Sequence, residues 1–250
     1  MKNKENVILL SLILGFIGVL VLVPGTKGTF GLLVGINIML IVIALIVSVK
    51  KSYYMAPSYL LICLGFAIGI KIKYIYFISV GDSEIVNLFV DYFYTHYDLI
   101  VVGAILFIIS IYIVFFQNRR IAEVAARFSL DALPGKQMSI EADYNSGKLS
   151  AEQARSKKET LQIQINLLGN MDGLASSLVT VSKLGGFISI VAVIVRSTIE
   201  MFRLGGGFLY YLKSYSLLML PEFFIFQFII MLLAIGSWAL VSHYLSGEYK

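Results

Sequence analysis

The chain is poor in charge, cysteine, histidine and proline. Only 14% of its 250 residues are Asp, Glu, Lys or Arg, against about 25% in soluble domains, which excludes an ordinary water-soluble fold. One cysteine, Cys63, rules out an intrachain disulfide and leaves the redox compartment open. Two histidines, His96 and His243, cannot with that cysteine supply a zinc ligand set, so no metal is expected. Four prolines and the absence of alternating strands argue against a lipid-facing barrel. No nucleophile–base constellation is visible. "GKLS" at Gly147 lacks the upstream glycine and adjacent hydroxyl of a phosphate-binding loop. No cofactor, enzymatic activity or nucleic-acid partner is therefore expected.

What the chain has is long apolar runs, with 58% hydrophobic residues and a mean hydropathy of +0.86. Runs of ~20 apolar residues are the mark of helices that cross a bilayer. The reading is an all-α, polytopic helical membrane protein of about six transmembrane helices with a helical cytoplasmic loop. The spans fall near residues 7–24, 31–49, 57–80, 99–116, 184–199 and 223–241. They divide the chain into four spans (1–116), a polar segment (117–170) and two spans with a short tail (171–250). The basic start "MKNKEN" resembles a signal peptide, but no small-residue cleavage site follows cleanly, so a retained first helix is expected.

Charge placement orients these spans. Lys2 and Lys4 precede the first, Lys50 and Lys51 follow the second, and eight basic residues from Arg119 to Lys158 follow the fourth. Residues 81–97 carry Asp82, Glu84 and Asp91 but no Lys or Arg. Both termini and the polar middle then face the cytoplasm by the positive-inside rule. Lys27, Arg203 and Lys213 on the other side weaken the bias without reversing it.

The polar middle has its own pattern. Residues 120–130 read as a helix, with Glu123 four residues before Arg127. Pro134-Gly135 is expected to break it, and Asn145-Ser146-Gly147 to turn the chain. Ser150 and Gln153 match a capping box, opening a helix expected to end near Leu168. Arg120, Arg127 and Asp131 share one helical face just below the fourth span. Two readings stay open: a solvated helix at the lipid headgroups, or a charge cluster at the mouth of a transport path, with Arg127 and Asp131 paired. Glu123, Asp131, Glu141 and Asp143 among the basic residues do not help bind anionic lipid.

Lys71 and Lys73 fall inside the third span. A charge at mid-helix costs ~2.5–3.5 kcal/mol on insertion scales and is a functional suspect by default. Both lie near the outer end of the span, and snorkelling to the interface is the favoured reading. Gly31–Gly35 and Gly65–Gly69 have the spacing that permits close helix approach. Gly205-Gly206-Gly207 reads as a loop or helix break.

"RIAEVAARFSLDALPGKQMSIEAD", residues 120–143, resembles the signature of the FHIPEP family, with Glu141 where Asp is usual. "VPGTKGTFGLLVGINIMLIVIALIVSV" is similar to the family's first hairpin, "GNMDGLASS" to its Met-Asp-Gly segment, and "LPEFFIFQFIIMLLAIG" to its Ile-Pro-Ala-Leu span. The resemblance implies the large export-gate subunit of flagellar or virulence type III secretion systems, in the bacterial inner membrane. It further implies a ring with copies of itself, smaller export-gate subunits as partners, unfolded secreted proteins in transit, and export coupled to the proton motive force. By position, Arg120, Arg127 and Asp131 match family residues used in that coupling, and Asp172 matches the Met-Asp-Gly acid. With Glu123, Lys136 and Asp143 they make up the expected collar network. Ala67, Ser176, Val181 and Ser214 stand where the family has charges. Family members continue into further spans and a ring-forming domain, whereas this chain stops at Lys250. Two other functions remain in view: an ion or proton channel derived from a truncated gate, and a non-transporting assembly protein.

Overall fold

The computed structural model describes residues 27–51, 56–80, 95 and 97–248. The first expected span, near residues 7–24, and the acidic connection at 81–94 lie outside these residues. Six α-helices make up the described structure: α1 (Lys27–Lys51), α2 (Ala56–Val80), α3 (Tyr97–Arg127), α4 (Leu133–Asn145), α5 (Ala151–Leu204) and α6 (Phe208–Glu248). A π-helical turn, Phe128–Ala132, joins α3 to α4. No strand occurs among the described residues. The fold class is thus as the composition implies.

Four of these helices, α2, α3, α5 and α6, are long and apolar enough to cross a membrane. α1 is helical throughout and carries a shorter apolar stretch, Gly35–Ile46. The second expected span lies within α1, and spans three to six lie within α2, α3, α5 and α6.

Two expected boundaries are overturned. The helix opened by the capping box continues past Leu168 to Leu204, for 54 residues. At about 1.5 Å per residue that is ~80 Å, far more than the ~30 Å hydrocarbon core. One rod therefore carries both the polar segment and a membrane span. The second correction is at Pro134, which does not break the helix. Leu133 N–H donates to Phe128 O, five residues back. This wider turn lies just ahead of a residue that has no N–H and whose ring crowds the carbonyl four residues earlier. Pro134 then sits in the first turn of α4, where a missing donor costs nothing.

The two turns the sequence marked are present. Gly147 adopts φ 72°, and the Lys148 and Leu149 N–H groups both donate to Asp143 O. Ser150 and Gln153 form the reciprocal capping box at 2.9 and 3.2 Å. Gly205 (φ 73°) and Gly206 (φ 104°) reverse the chain between α5 and α6, a backbone that side-chain-bearing residues rarely adopt. Gly65 and Gly69 are buried as expected of a packing face. A Cβ on Gly35 would meet nothing, so no described helix makes a close approach there.

α3, α5 and α6 pack on one another, α2 lies against α5 and α6, and α1 packs on both α2 and α6. α4 folds back on the first half of α5. Ile140 of α4 packs in the same cluster as Ala154 and Leu161, and that cluster runs on through Met171 and Leu178 to Leu233 and Val241. The polar segment has no separate core; it extends the membrane bundle's own.

Candidate functional site

The collar residues are spread along this rod-and-hairpin arrangement. Arg120, Glu123, Arg127, Asp131 and Asp143 lie on α3, the π turn and α4, and Asp172 lies on α5. Arg120 is exposed, and its guanidinium stacks between the Phe116 ring (4.7 Å) and the Trp238 ring of α6 (5.2 Å). Lys136 lies 5.3 Å from the Phe128 ring centre and 3.3 Å from Gln164 Oε1, tying α4 to α5. Lys158 to Glu141, at 3.3 Å, ties the same two helices nearer the turn. Asp143 faces Lys148 at 4.0 Å, and Asp172 is partly buried.

Arg127 and Asp131 are not paired. Both are exposed, and no ion pair joins them, or Glu123 to Arg127, among the described residues. The four-residue spacing that aligns charges on an α-helix does not do so here. Asp131 sits in the π turn, where a full turn needs more residues and rotates it off the face of Arg127. The structure therefore brings Lys136 and Arg120 into contacts but does not gather the seven collar residues into one network.

The buried charges lie elsewhere. Lys71 is 4% exposed, and its ammonium reaches Glu222 Oε1 of α6 at 2.8 Å, with both side chains 4% accessible. The same ammonium donates to Ser189 Oγ of α5 at 2.8 Å, and Ser189 Oγ lies 3.4 Å from Glu222 Oε2. Three spans thus meet at one ion pair. The ammonium also lies 4.4 Å from the Phe226 ring centre. Gly185 makes room for this, since a Cβ there would lie 2.5 Å from the Phe226 ring and 3.3 Å from Lys71 Cε.

Snorkelling, the favoured reading of Lys71 and Lys73, is overturned for Lys71, whose ammonium turns inward to Glu222. Both are buried, at 4% and 3% exposure. With α5 and α6 packed on this half of α2, the Glu222 carboxylate comes within 2.8 Å of the Lys71 ammonium, and a buried charge is kept only where it is paired. Sequence reasoning missed Glu222 altogether. The available signal was complementarity: within α6 after Lys213, Glu222 is the only Asp, Glu, Lys or Arg before Glu248, and Lys71 and Lys73 are the only ones in α2. Isolated opposite charges in two apolar spans have each other as the cheapest partner.

Further polar rungs line the α5–α6 seam. Ser182, Ser189 and Arg196 recur at seven residues, so they share a face of α5. Ser182 donates to Gln227 of α6 at 2.8 Å. Arg196 pairs with the buried Glu200 at 2.5 Å and reaches the Tyr215 hydroxyl of α6 at 3.4 Å. Toward the Gly205 turn the seam opens into an apolar groove of ≈480 Å³, whose wall includes Ser189, Val193, Ser216, Met219 and Phe223. Ser189 thus touches both the ion pair and the groove. No group of three or more His, Cys, Asp or Glu that could hold a metal occurs among the described residues.

Comparison with known proteins gives a consistent family. Residues 17–248 match the FHIPEP family. The chain is 28% identical to the flagellar biosynthesis protein FlhA of Borreliella burgdorferi, over 98% of this chain and 37% of that one. It is 32% identical to FlhA of Bacillus subtilis, over 78% of this chain and 30% of that protein. The low calcium response locus protein D of Yersinia pestis is 28% identical, over 98% of this chain and 36% of its own length. The chain thus spans between 30% and 37% of these relatives' length. No solved structure matches it.

Proposed function

The chain belongs to the FHIPEP family, and on that premise we propose that it is a membrane subunit of a type III protein export gate. In this reading it forms part of a channel wall in the bacterial inner membrane, with both termini and the α4–α5 hairpin in the cytoplasm. It assembles with copies of itself and with smaller gate subunits, and the proton motive force drives unfolded proteins past it. The observation that carries the reading is the extent of the family match, which takes in every described helix.

The geometry supports two further parts of it. Glu123 and Arg127 at the end of α3, and Asp131 in the π turn, are exposed with no ion pair within the described chain, so they are available to a neighbouring subunit. The hairpin shares a core with the spans, so a force on one is transmitted to the other. Affinity purification of the full chain from native membranes tests the proposal. Recovery of smaller gate subunits in stoichiometric amount, and loss of secretion when the gene is deleted, are the results expected. Recovery of the chain alone together with undiminished secretion after deletion would overturn it and leave a non-transporting protein.

A further inference from the structure

We propose that Glu222, paired with Lys71 and Ser189, is an intramembrane proton-binding site reached through the groove between α5 and α6. An ionisable pair within apolar spans is a functional suspect in its own right, and three features make this one a candidate to bind a proton. First, the pair is sequestered, with each side chain 4% accessible, so its ionisation is not set directly by bulk solvent. Second, one member of the cluster borders the groove. The groove toward the Gly205 turn ends at Ser189, whose hydroxyl lies 2.8 Å from Lys71 Nζ and 3.4 Å from Glu222 Oε2. The charge bias of the loops puts that turn on the outer side, the side from which protons enter an energised cell.

Third, Glu222 has few competitors. From α2 it faces Lys71 and Tyr74, whose hydroxyl donates to Leu218 O one turn earlier, with the buried Lys73 two residues from Lys71. From α5 it faces Ser189, and the nearest charges on that helix are Lys183, over the Phe115 ring, and Arg196, held by Glu200. α3 contributes Phe107, stacked on Phe223 at 4.5 Å, and residues 33–46 of α1 include no ionisable side chain.

The step is simple to balance. A proton arriving at a Glu222 carboxylate oxygen forms the carboxylic acid, and the pair passes from net zero to a net charge of +1. Lys71 keeps its proton but loses its counter-charge, leaving Ser189 and the Phe226 ring to hold it. A buried cation without its partner is strongly disfavoured, so protonation loosens α2 from α5 and α6. The collar lies along the same α5 rod. The use of this movement in export rests on the reading given above; the proton site itself does not.

Infrared titration of the purified full chain in lipid nanodiscs tests the site. The expected result is a protonated-carboxyl band that is absent from Glu222→Gln. In Lys71→Met its midpoint shifts by roughly tenfold or more in proton concentration, since a whole neighbouring charge has gone. Ser189→Ala, which leaves both charges in place, shifts the same midpoint or slows the band's hydrogen–deuterium exchange. Identical bands in the parent chain and Glu222→Gln, or with Ser189→Ala no change in either quantity, overturn the site. Secretion in cells separates this from the export reading. A band that behaves as stated while Glu222→Gln secretes normally keeps the proton site and overturns its use in export. Lost secretion with no such band overturns the site and keeps the gate.

Discussion

Removing one member of the Lys71–Glu222 pair should be far more damaging than removing both. Lys71→Met leaves the Glu222 carboxylate with Ser189, at 3.4 Å, as its remaining hydrogen-bond neighbour in the cluster. Breaking a buried pair this way costs about 3–5 kcal/mol, while replacing both partners by apolar side chains is near neutral or stabilising. The two single changes should not be equal. After Glu222→Met the ammonium keeps Ser189 at 2.8 Å and the face of Phe226 at 4.4 Å. A hydrogen bond to a charged group and a cation–π contact offset ~2 kcal/mol or more between them. Glu222→Met should therefore sit at or below the low end of the range and Lys71→Met at the high end. The double variant should lie within about 1 kcal/mol of the parent chain or above it, which makes the coupling several kcal/mol. Unfolding in mixed micelles with increasing denaturing detergent, followed by helical circular dichroism, gives all four corners of the cycle. Single variants both within ~1 kcal/mol of the parent would refute the reasoning, because that is how a solvated pair behaves.

The collar and its surroundings supply the remaining predictions. Arg127→Ala and Asp131→Ala should each change stability by no more than about 0.5 kcal/mol, being exposed and unpaired; if they act in a transport path, secretion falls nonetheless, and unchanged secretion means they are merely solvated. Gly185→Ala drives a methyl into Phe226 and the Lys71 stem and should cost ~1–3 kcal/mol by overpacking, measured in the same unfolding assay. Ser150→Ala removes one half of the capping box and should cost ~1 kcal/mol, read as earlier melting of the α4–α5 hairpin. In a Cys63→Ser background, a cysteine at position 148 should stay unlabelled by an impermeant thiol reagent in intact cells and react after permeabilisation. Labelling in intact cells would reverse the orientation.

Helical class, membrane character and the positions of the spans follow from composition and run length, because lipid forces each backbone polar group to be satisfied within its own segment. The same locality makes the Ser150 capping box and the Gly147 and Gly205 turns legible: each depends on a few neighbouring residues. The FHIPEP signature of residues 120–143 is likewise written in the chain itself. Periodicity failed where a local signal competed with packing. Pro134 looks like a break, yet a π turn absorbs it. A helix opening at Ser150 looks short, yet the apolar seam of Leu161, Leu168 and Ala175 carries it straight into the membrane. Arg127 and Asp131 look paired on an ideal helix, and that same π turn parts them. The buried site was out of reach for a different reason. Lys71, Ser189 and Glu222 are separated by more than a hundred residues on one side and by a chain reversal on the other. Only the packing of α2 against α5 and α6 decides that these charges meet each other instead of the headgroups.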